Sequence, residues 1–258
     1  MKQPTMEERL AARQRPAGSP LLFMEWHRLL FLHWSWDPAQ IQALLPPGLS
    51  VDTHENQGWL GIVPFFMRRV HPRGLPCLPW VSDFLELNVR TYVHDGRGTP
   101  GVWFTSLSCN QPIAVLGART FFHLNYVHAR MQAREMGQQV AYESSRRGQD
   151  SARYRYQIPA TGHPAEPGTL EFFLLERYVL FSSNARGRLF SGRVHHAPYQ
   201  VATGDLPEWS FAPAVADGFA LDGRAPEHVT MSDRVEVGAW ALQAHPAGSQ
   251  GSLDSGEV

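Results

Sequence analysis

Lysine is nearly missing from this 258-residue chain: of its 23 basic residues only Lys2 is a lysine, and the rest are arginines. A core amine that could form a Schiff base is therefore excluded. Cysteine is almost as scarce. Cys77 and Cys109 stand far apart in unlike contexts, which argues against a disulfide scaffold and a cysteine zinc site and for a reducing, cytoplasmic compartment. Neither sign of charge is in excess, the net charge being −1, so no basic face awaits a phosphate backbone and nucleic acid is not expected as a partner. Long apolar runs are absent too. Residues 21–36 carry Glu25, His27, Arg28 and His33, too polar to span a membrane or to serve as a signal peptide.

What is present is a large supply of core-forming residues, 43% hydrophobic against 18% charged, enough for one sizeable β-rich domain. The most ordered stretch is residues 84–93, which keep the two-residue period of a strand almost without error. Leu85, Leu87, Val89, Thr91 and Val93 share one face; Phe84, Glu86, Asn88, Arg90 and Tyr92 share the other. An acid, an amide and a guanidinium between two aromatic rings suit the lining of a cavity, where they satisfy one another and hold a ligand. The plainer alternative is a wet face with a cross-strand Glu–Arg pair.

Taken in order, residues 1–20 read as a mobile polar tail and residues 23–34 as a first strand. Asp37-Pro38 caps a short helix that buries Ile41, Leu44 and Leu45 and stops at Pro46-Pro47-Gly48. Residues 49–53 and 59–67 read as a hairpin, with Pro64 marking an edge or a bulge. After a Pro/Gly loop over 71–82, the central strand turns at residues 95–98 into a partner strand over 101–108. Pro112 opens a helix to about Phe122 with Ile113, Leu116 and Phe121 spaced for burial. Residues 140–146 and 153–158 form a hairpin whose Arg146, Arg147, Arg153 and Arg155 read as a solvated face. Thr169 caps another helix, strands follow over 178–182 and 189–195, and two more near 227–231 and 234–242 precede a disordered tail from 243. About ten strands with a few short helices and no βαβ alternation make an α+β, β-rich fold, a mixed barrel in a single domain over residues 21–242.

Several phrases together, FLELNVRTYV at 84–93, GVWFTSL at 101–107, ERY at 176–178 and VHHAPY at 194–199, resemble the uncharacterised YqjF-like family of the acetoacetate-decarboxylase-like superfamily, over about residues 22–242. The resemblance implies a cone-shaped β-barrel with a central cavity and no known activity. It also implies that the superfamily's barrel glutamate falls near Glu86 and its arginine on Arg119. The decarboxylases' catalytic lysine then falls at or near Tyr126, beside Val127, where this chain has no lysine. Imine-type decarboxylation of a β-keto acid is thereby excluded, since arginine does not become a nucleophilic amine.

Three functions stay open. The first is a small-molecule enzyme or binder for a carboxylate or keto acid, with lyase, hydratase or isomerase chemistry. There Glu86, Arg119 and Tyr126 are the catalytic candidates, and Asn88, Arg90, Ser106, His33, Trp59, Tyr178 and His196 line the ligand site. The second is a non-catalytic ligand sensor on the same fold. The third is a histidine metal protein, which His195-His196 disfavours because adjacent strand residues point to opposite faces. No cofactor or metal is implied, and homo-oligomerisation is open.

Overall fold

Strand-forming residues dominate the middle of the chain, and short helices appear only where a cap is written locally. The structure is a computed structural model and describes residues 2–221 and 223–245. In order it runs α1 (Met6–Ala12), β1 (Leu22–Trp36), α2 (Pro38–Gln42), β2 (Leu49–Val51), β3 (Gly58–Pro72), β4 (Phe84–Asp95), β5 (Pro100–Cys109), α3 (Pro112–Phe122), β6 (Tyr126–His128) and β7 (Arg130–Met136). It continues through β8 (Gln139–Ser145), β9 (Ala152–Gln157), α4 (Leu170–Leu175), β10 (Val179–Ser183), β11 (Leu189–His195), β12 (Val201–Ala202), α5 (Ala212–Ala216), β13 (His228–Ala239) and β14 (Gln243–Ala244).

The main sheet follows the order β13-β1-β3-β4-β5-β10-β11, and β11 pairs back to β13 through Val194 opposite Ala239, so it closes into a ring. Most pairings are antiparallel, while β10 and β6 join β5 in parallel. Alternation then gives the ring two different faces. Inward stand Leu29 and Phe31 of β1, Val63 and Phe65 of β3, Tyr92 of β4, Leu107 of β5 and Val235 and Val237 of β13, which form one core. Outward stand Leu30, Leu32, Trp34, Leu60, Ile62, Leu87 and Val89, packed under the three-stranded sheet β7-β8-β9 and α5. Both faces of β4 are thus buried, which explains why its polar row is not a wet surface.

The differences from the sequence reading have local causes. The start of the chain is no free tail: Thr5 and Glu8 make a capping box for α1, and Arg9 anchors it bidentately to Asp52 at 2.6 and 2.7 Å. In α2 Ile41 is the one buried residue, and Leu44, beyond the end of that five-residue helix, is exposed. Residues 49–51 pair with β4 rather than with β3, so the expected hairpin does not form. Pro64 lies not on an edge but opposite the β1–β3 register shift between His27 and Leu32, where no ladder N–H is required. The helix α3 matches in extent, yet Ile113, Leu116 and Phe121 face outward. The two expected C-terminal strands are the single strand β13, and β14 takes the first residues of the expected tail. Residues 246–258 of that tail lie outside the described residues. No helix among the described residues is long and apolar enough to cross a membrane.

Candidate functional site

Strand β4 carries Glu86, Asn88, Arg90 and Tyr92 into the ring, each less than a tenth exposed. Glu86 accepts a hydrogen bond from the Tyr126 hydroxyl at 2.6 Å, while the Tyr142 hydroxyl donates to its backbone carbonyl at 2.8 Å. Burial raises the Glu86 carboxyl to about 7 against the opposing effect of the Tyr126 hydrogen bond. Tyr126 is pushed well above the usual phenol value by burial and then by the Glu86 charge, so it stays a hydroxyl donor. Opposite Glu86 on β5, burial pushes the Cys109 thiol up to about 12, which keeps it inert.

Four residues further along, Arg90 sits in a different setting. One guanidinium nitrogen donates to the Leu174 carbonyl at 3.1 Å, and its carbon lies 5.6 Å from the ring centroids of both Phe31 and Tyr92. Its Nε has no partner. Register sets its neighbours: His33, Gly61 and Arg90 stand opposite one another across β1, β3 and β4. A Cβ on Gly61 would come within 3.1 Å of His33, 3.2 Å of Arg90 and 3.3 Å of the Tyr92 hydroxyl. Asn88 Oδ1, Trp59 Nε1, the Tyr92 hydroxyl, His33 Nε2 and His196 Nε2 are likewise buried without hydrogen bonds. Native interiors leave few such atoms, so their gathering in one ring makes it the candidate site.

Near Arg90, Arg177 donates to Asp52 at 2.6 Å and lies 5.0 Å from the Tyr92 ring centroid. Asp52 is held below its usual value by Arg177 and Arg9, which outweigh its burial. One carboxylate thus faces two arginines there while Arg90 pairs with none. The neighbouring histidines add no charge: burial takes His33 well below its usual value and His196 to about 4.

Several expected site residues belong elsewhere. Arg119 does not enter the ring; it lies exposed on α3 beside Asn125 and Arg186, and its Nε donates to the Tyr126 backbone carbonyl at 2.6 Å. It positions Tyr126 from outside. Ser106 points outward, because a bulge between Val89 and Arg90 inserts Thr105, and it joins Arg146 and Asp217 under the outer sheet. That correction takes Arg146 with it: the expected solvated arginine is buried and pairs with Asp217 at 2.9 Å. The Tyr178 hydroxyl donates to Glu176 and is not free for a ligand, although its ring stacks on His196 at 4.7 Å. Asp52, Arg177, Tyr92 and His228 join the candidate site without being among the ligand-site residues that the sequence singles out. Only Tyr92, on the inner face of the central strand, and Arg177, inside ERY, carried a signal; Asp52 and His228 acquire meaning through strand pairing.

Solvent-accessible clefts open outside the ring, one of about 380 Å³ among Phe23, Glu25, Arg69, His71, His195 and Trp240. Among the described residues no group of three or more His, Cys, Asp or Glu side chains converges to hold a metal ion.

A closed, strand-rich sheet with a polar row inside places the chain in the acetoacetate-decarboxylase-like fold class. Acetoacetate decarboxylase of Legionella pneumophila superposes with a TM-score of 0.59 at 14% identity, covering 90% of each chain. The enduracididine biosynthesis enzyme MppR superposes at 0.61 with 11% identity over 88% of each. The chain belongs to the DUF2071 family of uncharacterised conserved proteins, whose pattern it matches over residues 23–236. It is 37% identical over 186 residues to the uncharacterised protein YqjF of Bacillus subtilis (strain 168), across 71% of this chain and 76% of that one.

Proposed function

We propose that the ring interior binds a small organic carboxylate of the keto-acid type, and that Glu86 with Tyr126 moves a proton on it without any imine. One observation carries the reading: Arg90, 8% exposed, has no carboxylate partner. A buried, uncompensated guanidinium is costly, and an anionic ligand offsets that cost through a bidentate contact. Glu86 lies on the same face about 13 Å along the strand, with Asn88 between, so the ligand on which Glu86 acts is one long enough to reach from Arg90 past Asn88. A carboxyl that titrates at about 7 gives and takes a proton at neutral pH. Tyr126 remains a hydroxyl and donates to developing negative charge. The sole lysine, Lys2, is exposed near the start of the chain, so this chemistry is of the lyase, hydratase or isomerase kind rather than Schiff-base decarboxylation. A fold neighbour, MppR, is described in complex with pyruvate, which supports the ligand class.

The test is a thermal-shift screen of carboxylates, pyruvate included, on the wild type and on Arg90→Gln. A ligand present at a hundred times its Kd stabilises by about 2.7 kcal/mol, roughly 5–10 °C in Tm for a chain of this size. The reading requires such a shift in the wild type and its loss in Arg90→Gln. A screen with no hit, or a hit indifferent to Arg90, refutes it.

A further inference from the structure

We infer that His33 and His228 form a two-imidazole proton relay that joins the ring interior to solvent at Glu171. The two histidines are 195 residues apart, and the pairing of β1 with β13 sets them opposite one another. Their Nδ1 atoms lie 3.0 Å apart. A contact of that length between two neutral imidazoles holds one proton, so one ring carries its hydrogen on Nδ1 and the other on Nε2. At the inner end His33 is fully buried between Phe31 and Tyr92, and its Nε2 has no partner. At the outer end His228 Nε2 lies 4.0 Å from Glu171 Oε1, a gap that a small side-chain rotation closes. Glu171 is itself partly exposed, and its other oxygen lies 3.9 Å from the exposed His163.

The surroundings keep both rings in the state a relay needs. Burial first, then His228 and Arg90, lowers His33 well below its usual value, and burial takes His228 to about 4. Glu171 faces His228 from α4, and Arg90 faces His33 from β4. Neutral imidazole donates with one nitrogen and accepts with the other, which imidazolium does not.

The transfer balances as follows. A group in the interior takes the proton from His33 Nε2. The proton on His228 Nδ1 crosses to His33 Nδ1, and His228 Nε2 takes one drawn from solvent and passed on by Glu171. Both rings finish neutral with their tautomers exchanged, and one proton has moved inward. Running the sequence backward removes a proton from the interior and restores the starting tautomers. The relay's use in turnover rests on the interior being an acid–base site as proposed above; its existence does not.

The experiment therefore uses the ligand-free protein. Histidine-labelled ¹⁵N spectra at pH 7 should show both rings neutral with opposite tautomers, and two like tautomers or a charged ring would overturn the assignment. Exchange of the His33 ring N–H with water is then measured in the wild type, His228→Phe and Glu171→Gln. The indole N–H of Trp59, buried in the same interior without a partner, reports on general opening of the ring. Loss of the relay should slow His33 exchange by roughly tenfold or more while the Trp59 rate holds. If His228→Phe loosens the ring and Trp59 speeds up, Glu171→Gln decides, because its partly exposed side chain leaves the core untouched. A His33 rate unchanged in Glu171→Gln overturns the relay. Failure of carboxylates to bind would leave all these rates as they are, so the two proposals fail separately.

Discussion

Replacing Glu86 by glutamine should change how the stability of the protein depends on pH. The carboxyl has a reference value of 4.5 and is raised to about 7 in the fold. Between those values the unfolded chain has already lost its proton while the folded chain keeps it. The unfolded state then binds fewer protons, and stability falls as pH rises. Glu86 therefore leaves stability intact below about pH 4.5 and withdraws it progressively until pH passes about 7. At 1.36 kcal/mol per pH unit the withdrawal amounts to about 3 kcal/mol, or roughly 6–12 °C in Tm. Glutamine is close in shape, still accepts from Tyr126 and does not titrate. Urea melts of both proteins from pH 4.5 to 8 isolate the effect, since every other titrating group cancels in the difference. The stability of Glu86→Gln relative to wild type should climb by about 3 kcal/mol across that range. A difference that stays flat would mean that Glu86 titrates as if in water, and the buried acid–base site would be wrong.

Three further substitutions probe the surroundings. Arg146→Ala leaves the buried carboxylate of Asp217 without a cation, held only by the Thr105 and Ser106 hydroxyls, and should cost about 3–5 kcal/mol, read from urea unfolding. Gly61→Ala pushes a methyl against His33, Arg90 and Tyr92; it should cost about 1–3 kcal/mol and blunt any carboxylate-induced thermal shift. Arg119→Ala removes one hydrogen bond to the Tyr126 carbonyl, worth about 1 kcal/mol. It should leave that thermal shift in place, because the side chain lies outside the ring.

The parts of the fold that were legible in the sequence are those written in one segment. The alternation of residues 84–93 gave β4 and its two faces, and Pro112 with the apolar spacing behind it gave the extent of α3. Partners were not legible. Periodicity in α3 shows that Ile113, Leu116 and Phe121 share a side, but whether the sheet covers that side depends on how the helix docks. Residues 49–51 look like half of a hairpin because their neighbours in sequence are strand-like, yet β4 takes them. The site divides in the same way. Glu86, Asn88 and Arg90 follow from one strand's period. Ser106 faces outward because a one-residue bulge in β5, which no local pattern announces, reverses the alternation there. Arg146 looked like one of four surface arginines, and only the packing of the outer sheet on the ring buries it against Asp217. The capping box of Thr5 and Glu8 is written in the sequence, inside a segment whose polarity reads as a tail.

The most direct test of the account is a structure of the protein with the carboxylate that shifts its melting temperature most. The carboxylate should lie inside the ring, about 2.7–2.9 Å from the Arg90 guanidinium. A ligand seated instead in the outer cleft at His71 and His195, or against Arg119, with Arg90 untouched, would contradict it.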